Sequence, residues 1–155
     1  MSHIPPSFTL KVRQLPRIRD FKVLIVHLRK TRILVVSSPS FSRIVKHLFR
    51  GQSEFEVVGV LSGFGSLERQ AGQFLPDLIV ANVKPVSIGI RRVVATIKQA
   101  SPSAKVILTC AVEDFARAAR KHGADACLND EDVAGHLLRM ACALSDRPKV
   151  VNAGN

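Results

Sequence analysis

The sequence contains neither tryptophan nor tyrosine, so its 8 phenylalanines are the only residues of that aromatic class. Few rings are therefore available to stack on unpaired bases, which argues against single-stranded nucleic acid recognition by stacking. Long apolar runs are also missing. Candidates such as Val23 to Val26 and Ile33 to Val36 have the length of strands, far short of the roughly 20 residues that cross a bilayer. We expect no membrane-spanning segment.

Cysteine is scarce and odd in number, with Cys110, Cys127 and Cys142 each lying inside an apolar segment. None has a His or Cys partner at a spacing typical of metal ligands. We interpret all three as reduced, buried thiols. Nothing resembles a signal peptide with an apolar core and a small-residue cleavage site, so the expected location is the cytoplasm.

Acidic residues are outnumbered by basic ones, 12 against 23, which gives a formal net charge of +11. Residues 1–30 contribute 7 basic and 1 acidic side chain, a balance of +6, whereas the other 125 residues contribute a balance of +5. The basicity is therefore concentrated in the leader. One alternative is a nucleic-acid-associated protein that binds through this extension by phosphate contacts.

The leader carries Pro5, Pro6 and Pro16 and shows no clear helical periodicity. We predict a poorly ordered extension over residues 1–30, a domain over 31–144 and a short tail over 145–155. Two other interpretations stay open. The leader could be an organellar transit peptide, although its prolines oppose the amphipathic helix such a peptide needs, or translation could begin within it, for example at Val26.

From Arg32 onward, short apolar runs alternate with amphipathic stretches, a pattern typical of a parallel sheet covered by helices. The predicted strands are Ile33 to Val36, Phe55 to Val60, Leu78 to Ala81, Val106 to Thr109 and Ala126 to Leu128. The predicted helices are Ser40 to Arg50, Ser66 to Phe74, Ile88 to Ala100, Val112 to His122 and Glu131 to Leu144. Gly123 is expected to end the fourth helix in a left-handed conformation. The pattern predicts an α/β domain of five βα units.

Polar residues follow the predicted strands where a doubly wound sheet binds its ligands, at the carboxyl ends. They include Ser37, Ser38, Asn82, Thr109 and Asp130. The first four could form a neutral pocket for a small anion or nucleotide, or they could simply satisfy strand-end backbone groups. The glycine-rich pattern and lysine of a P-loop are missing, as is a nucleophile elbow, so we predict no catalytic residues.

Six segments in register resemble the CheY-like receiver domains of two-component response regulators, over the stretch from Arg32 to Leu144. They are Arg32–Val36 with Pro39, Ser40 and Phe41; Phe55–Gly59; Pro76–Val80; Ser101–Pro102; Val106–Thr109; and Gly123–Ala126. The resemblance implies a flavodoxin-like doubly wound (βα)5 fold, a three-layer sandwich whose five parallel strands have the order 2-1-3-4-5.

The resemblance fails where receivers perform chemistry. Ser37 and Ser38 stand where the family has the acidic pair that holds Mg²⁺, Asn82 stands at the phosphoacceptor aspartate, and Asp130 replaces a lysine. An amide is no substitute for a carboxylate nucleophile, and neutral hydroxyls are poor Mg²⁺ ligands. We therefore expect phosphotransfer and Mg²⁺ binding to be lost, with no cofactor and no metal.

Other positions of the family pattern are partly kept. Thr109 retains the family's switch threonine. Cys127 replaces the usual aromatic residue of the fifth strand, and the proline that follows the acceptor is displaced one place, to Pro85. The resemblance therefore implies a degenerate member, a pseudo-receiver that is not an enzyme.

A pseudo-receiver would act by contact with a signalling protein, such as a histidine kinase, another regulator or a second copy of itself. In receivers such contacts commonly use the fourth helix, the fifth strand and the fifth helix. The corresponding residues here are Arg117, Arg120, Lys121, Asp130, Asp132, His136 and Arg139.

Overall fold

The computed structural model describes residues 29–84 and 89–145. Its strands are β1 (Thr31–Val36), β2 (Phe55–Leu61), β3 (Leu78–Asn82), β4 (Lys105–Cys110) and β5 (Ala126–Asn129). They form one parallel sheet in the order β2-β1-β3-β4-β5. The α/β, doubly wound fold expected from the resemblance is confirmed.

Helices follow every strand, as predicted. They are α1 (Pro39–Phe49), α2 (Leu67–Phe74), α3 (Ile90–Ala100), α4 (Glu113–Lys121) and α5 (Val133–Leu144). Predicted and observed ends differ by at most two residues. Two differences have a visible cause, because short 3₁₀ turns at Phe64–Ser66 and Asp130–Asp132 occupy the expected first residues of α2 and α5.

The core consists of two apolar clusters, one on each face of the sheet. Helices α1 and α5 cover one face, and α2, α3 and α4 cover the other. Helix α5, for example, buries Val133, Leu137 and Ala141, which recur every four residues and so lie on one side of the helix. Strand residues such as Ile33 and Leu34 are fully buried on opposite faces. Burial on both faces explains the continuous apolar runs of the sequence.

Two aspartates hold the amino ends of the strands together. Asp77 precedes β3, and its Oδ2 accepts a hydrogen bond from the Arg32 backbone N–H at 2.9 Å. Asp125 precedes β5, and its Oδ2 accepts from the Val106 N–H at 2.8 Å. Arg29 adds an ion pair with Asp77 at 3.2 Å. These contacts lie at the amino ends of the strands. The polar side chains predicted above as site residues lie at the opposite, carboxyl ends.

Gly123 follows the end of α4 with a backbone φ of +107°. Its N–H donates to the Arg120 carbonyl at 3.1 Å, and the His122 N–H donates to the Ala118 carbonyl. A positive φ is strained for residues with a Cβ atom, which is why glycine serves here. The predicted left-handed stop is confirmed.

The predicted extension and tail fall largely outside the described residues. Only Arg29 and Lys30 of the extension and Ser145 of the tail lie within them, and Pro85 and Ile88 also lie outside. The predictions for those segments stay predictions. Among the residues that the structure does describe, no helix combines the length and apolar character that crossing a membrane requires.

Candidate functional site at the strand exits

Three polar side chains form one hydrogen-bonded cluster where β3, β4 and β5 end. The Asn82 Nδ2 group donates to Thr109 Oγ1 at 2.8 Å and to Asp130 Oδ1 at 2.9 Å. Turning the amide around would place its oxygen against the Asp130 carboxylate, so the electrostatics favour this orientation. Both amide hydrogens of Asn82 are thereby used. We call Asn82, Thr109 and Asp130 the exit cluster.

Strand register positions the members of the exit cluster. Asn82 ends β3 and lies beside Thr109 of β4 in the parallel register. Thr109 is fully buried, whereas Asp130 is exposed at the start of the 3₁₀ turn that follows β5. That turn begins with a side-chain cap, because Asn129 Oδ1 accepts from the Glu131 N–H at 3.4 Å. The cluster thus reaches from the core to the surface.

Ser37 and Ser38 follow β1, and their hydroxyl groups form hydrogen bonds with backbone groups. The Ser37 hydroxyl donates to the Ser38 carbonyl at 3.1 Å. Ser38 is the N-cap of α1, where its Oγ accepts from the Phe41 N–H at 3.5 Å and lies 3.2 Å from Ser40 Oγ. Among the described residues, neither serine hydrogen-bonds to Asn82. The backbone-satisfying interpretation therefore accounts for the contacts of this pair.

A cleft of about 270 Å³ joins the two groups of polar residues. Its lining residues are Val36, Ser37, Ser38, Ser62, Gly63, Phe64, Asn82, Val83, Lys84 and Val93. Thr109 and Asp130 are not among them, so the pocket expected from Ser37, Ser38, Asn82 and Thr109 forms without its threonine. Within this lining, Lys84 is the one charged side chain.

The cleft does not fit the Mg²⁺ ion that receiver domains use. Mg²⁺ is held by hard, usually anionic oxygen ligands, and the described lining residues include no carboxylate. The side-chain oxygens of Ser37 and Ser38 are neutral and are engaged with the backbone. Lys84 adds a positive charge that disfavours a cation. Among the described residues, no group of three or more His, Cys, Asp or Glu side chains is placed to hold a metal.

Two cysteines lie together beside the exit cluster. The sulfur atoms of Cys110 and Cys127 are 3.4 Å apart, and the Cys110 thiol donates to the Val112 carbonyl at 3.5 Å. Burial raises the pKa of Cys127 to about 12, and the Cys110 thiol adds to this effect. Sequence spacing gave no sign of the pair, because the contact depends on the register of β4 against β5.

The interpretation of all three cysteines as buried was wrong for Cys142, which is exposed. It lies in an apolar segment, but it follows Ala141 on α5 and so falls outside the buried side of that helix. Cys127 is half-buried, and only Cys110 is fully buried.

The residues expected on an interaction face are exposed along the β5 edge of the sheet. We call them the β5 edge face; they are Arg117, Arg120, Lys121, Asp130, Asp132, His136 and Arg139. Three of them bond to backbone carbonyls four residues earlier, as when Arg120 Nε donates to the Ala116 carbonyl at 3.3 Å; the other two are His136 and Arg139. Among the described residues, none of them forms a salt bridge to another element.

Comparisons with known proteins identify similar folds but no matching sequence family. No protein-family model matches the chain, and no curated protein is similar enough to be matched. Solved structures do match. A two-component response regulator of the LuxR family from Aurantimonas sp. SI85-9A1 is 22% identical, with a TM-score of 0.64 over 76% of this chain and 87% of that chain.

Two further structures agree. The response regulator domain of Thermotoga maritima CheB is 23% identical, with a TM-score of 0.64 over 76% of this chain and 97% of that chain. The signal receiver domain of NarL from Mycobacterium tuberculosis is 17% identical, with a TM-score of 0.63 over the same shares. The chain has the receiver fold. At these identities the likeness establishes the fold, and function has to be argued from this chain's own residues.

Proposed function

We propose that this protein is a receiver-like signalling module of the cytoplasm that acts through protein–protein contact, without aspartyl phosphorylation and without enzymatic activity. The observation that carries the proposal is the double hydrogen bond of Asn82 to Thr109 and Asp130. It supports a role for Asn82 as a neutral hydrogen-bond donor at the position where receiver domains carry their phosphoacceptor.

The exit cluster offers no nucleophile for a phosphoryl group at position 82. An amide nitrogen is not a competent acceptor in acyl phosphate chemistry, which needs a carboxylate. Asp130 supplies a carboxylate nearby, but its negative charge would repel an incoming phosphoryl group, where a cation is needed to stabilise the transferring charge. None of the described lining residues of the cleft supplies an anionic ligand for Mg²⁺. These three features support the proposal that the chain does not undergo phosphotransfer.

The β5 edge face supports the contact part of the proposal. It carries four Lys or Arg side chains and two Asp side chains, all exposed, so a partner with an acidic patch would complement it. Rim charges of this kind chiefly affect association rate and its dependence on salt. The partners we consider are a histidine kinase, another regulator and a second copy of this chain.

Phosphorylation is tested directly by incubating the full-length protein with acetyl phosphate and Mg²⁺ and measuring its intact mass. We expect no added phosphoryl mass for the natural chain or for Asn82→Asp. The matched variant combines Ser37→Asp, Ser38→Asp, Asn82→Asp and Asp130→Lys, and adduct formation in that variant alone would support the assignment of these positions. An acid-labile adduct on the natural chain would contradict the proposal.

Contact through the β5 edge face is tested first as self-association. In such a dimer the arginines of one copy would face Asp130 and Asp132 of the other. Sedimentation velocity of the full chain should then show a concentration-dependent dimer that Arg117→Glu with Arg120→Glu weakens. The control pair, Arg43→Glu with Lys46→Glu, makes the same charge change at exposed positions of α1 and should have little effect. A monomer at every concentration would exclude the dimer, and titration with a histidine-kinase dimerisation domain would then test the same face.

The cleft supports a second candidate function, a sensor of small anions or nucleotides. Its lining carries neutral hydroxyls, the Asn82 amide and the cation of Lys84, without a carboxylate to repel an anion. Binding to the folded state raises stability, so inorganic phosphate or a nucleotide should raise the melting temperature, and Lys84→Met should abolish the shift. No shift at millimolar ligand would exclude this candidate.

Nucleic-acid association through residues 1–30 is the remaining alternative. Five of its seven basic residues lie outside the described structure, so this alternative rests on charge alone. Binding of this kind falls steeply as salt rises. Duplex DNA should then bind the full chain at low salt and should not bind a chain that lacks residues 1–28.

A further inference from the structure

Cys110 and Cys127 form a thiol pair that the proposed function does not use. Their sulfur atoms are 3.4 Å apart, in van der Waals contact. Cys127 lies beside Leu108 in the β4–β5 register, so Cys110 is two residues further along β4 and its side chain shares the same face of the sheet. Cys142, on α5, lies apart from both and is exposed.

We propose that Cys110 and Cys127 are a redox-sensitive dithiol that closes reversibly to a disulfide and, in closing, rearranges the exit cluster. The proposal is independent of whether the module works by protein contact. It concerns a modification site and its effect on Asn82, Thr109 and Asp130.

Hydrogen peroxide is a sufficient oxidant for the chemistry. At mildly alkaline pH a small fraction of the half-exposed Cys127 thiol is ionised, and this thiolate attacks one peroxide oxygen; the O–O bond breaks, and the departing oxygen takes up the released proton and leaves as water. The resulting sulfenic acid is attacked by the Cys110 sulfur; the S–O bond breaks, and a second water leaves with the Cys110 proton. Two thiols and one peroxide give one disulfide and two waters. An added dithiol reverses the reaction by exchange.

Closing the disulfide requires movement of the strand ends. An S–S bond is about 2.0 Å long, so sulfurs at 3.4 Å must approach by about 1.4 Å. Parallel strands lie about 4.8 Å apart and rise about 3.3 Å per residue, so residues offset by two have Cα atoms roughly 8 Å apart, beyond the limit of about 7 Å for an unstrained disulfide. The ends of β4 and β5 must therefore draw together, and the strained bond should be readily reduced.

The approach of the β4 and β5 ends would displace the exit cluster, because two of its members are close in sequence to the cysteines. Thr109 directly precedes Cys110, and Asp130 follows Cys127 by three residues. These two residues hold the acceptors of both Asn82 hydrogen bonds. A change in the spacing of the β4 and β5 ends would alter the 2.8 Å and 2.9 Å contacts together. Oxidation of the thiol pair would thus change the position of the exposed Asp130 side chain.

Tryptic mapping of the full-length natural protein tests the disulfide. After treatment with hydrogen peroxide at mildly alkaline pH and blocking of free thiols with N-ethylmaleimide, cleavage after Lys and Arg places the three cysteines in separate peptides, 106–117, 122–139 and 140–149. We expect a cross-link between the first two that dithiothreitol reverses. Cys142→Ser should keep this cross-link, and Cys110→Ser should lose it. Cross-links through 140–149 alone, or oxidised but unlinked cysteines, would overturn the proposal.

The effect on the exit cluster has its own measurement. The side-chain amide signals of Asn82, assigned by their loss in Asn82→Asp, should shift between the reduced and oxidised natural protein in ¹H–¹⁵N spectra. Cys110→Ser treated with the same oxidant provides the control and should show no such shift. Unmoved Asn82 signals in protein that mapping shows to be cross-linked would overturn the claim that the disulfide rearranges the cluster.

Discussion

The amide of Asn82 donates to the carboxylate of Asp130 at 2.9 Å, so the negative charge of this pair resides after β5 and not at the end of β3. A carboxylate at position 82 would require a cation opposite it. On the proposed correspondence with receiver domains, an acid stands in place of the cation and an amide in place of the acid, so the two differences would compensate each other. The contact is a charge-assisted hydrogen bond, which is shorter and stronger than a neutral one.

Changing Asn82 alone should break this compensation. Asn82→Asp places two carboxylates within hydrogen-bonding distance, and we expect the free energy of unfolding at pH 7 to fall by about 1–2 kcal/mol. Repulsion raises the pKa of such a pair in the folded state, so the loss should shrink as the pH is lowered toward 4 and one carboxyl group takes up a proton. Urea unfolding of the natural protein and the variant at pH 7 and at pH 4 measures the loss of free energy of unfolding.

A double variant supplies the control for this prediction. Asn82→Asp combined with Asp130→Asn exchanges the partners and restores one amide against one carboxylate. It should recover most of the stability at pH 7. An equal loss for Asn82→Asp at pH 4 and pH 7 would contradict the electrostatic explanation.

Asp125 should matter more for stability than the ion pair it forms. Its carboxylate accepts the Val106 N–H at 2.8 Å and pairs with Lys98 Nζ at 3.1 Å. Asp125→Ala leaves that backbone donor unsatisfied, and we expect a loss of about 1–3 kcal/mol. Lys98→Met removes the partly exposed ion pair together with the Lys98 Nζ hydrogen bond to the Ala104 carbonyl at 3.3 Å, and it should cost less than about 1 kcal/mol. Similar losses for both variants in chemical denaturation would show that the ion pair dominates.

Cys127 should be alkylated slowly and with a steep pH dependence. Its pKa of about 12 means that the reactive thiolate fraction rises about tenfold per pH unit throughout the range from 7 to 10. Iodoacetamide labelling followed by peptide mass mapping gives the rate at each pH. Cys142 is exposed and should react faster at neutral pH. A rate at Cys127 that levels off by pH 9 would show that its thiol is not protected by burial.

Gly123 should resist replacement because of its backbone. Its φ is +107°, while a Cβ atom at this position would meet no atom closer than 3.8 Å. Gly123→Ala should therefore destabilise through conformational strain alone, by about 1 kcal/mol. Gly72→Ala, at an exposed position inside α2 with nothing within 4 Å, should instead be stabilising. Thermal unfolding of both variants tests the contrast, and a neutral Gly123→Ala would rule out the strain.

Sequence patterns predicted the five βα units because strands buried on both faces read as continuous apolar runs. They also placed Asn82, Thr109 and Asp130 at one edge, since the carboxyl ends of parallel strands meet there. Helix starts were less accurate, because a 3₁₀ turn such as Asp130–Asp132 carries the same polar residues as a first helical turn.

Features that depend on register were beyond sequence reasoning. Ile33 pairs with Val57, whereas Leu34 pairs with Gly59, so the register shifts at Val58. No local sequence pattern predicts this bulge. The Cys110–Cys127 contact depends in the same way on which residues of β4 and β5 lie side by side. Hydrogen-bond detail is also set by tertiary contacts, as with Ser38, whose hydroxyl serves as a helix cap.

The ion pair between Arg29 and Asp77 lies where the described chain leads into β1. Asp77 lies at the amino ends of the strands, and Asn82 lies at the end of β3. At about 3.3 Å per residue, a strand of this length separates the two by roughly 15–20 Å. A linker attached just before Arg29 would therefore anchor the protein to a sensor surface by one pole and leave the opposite pole, with Asp130, facing the solution.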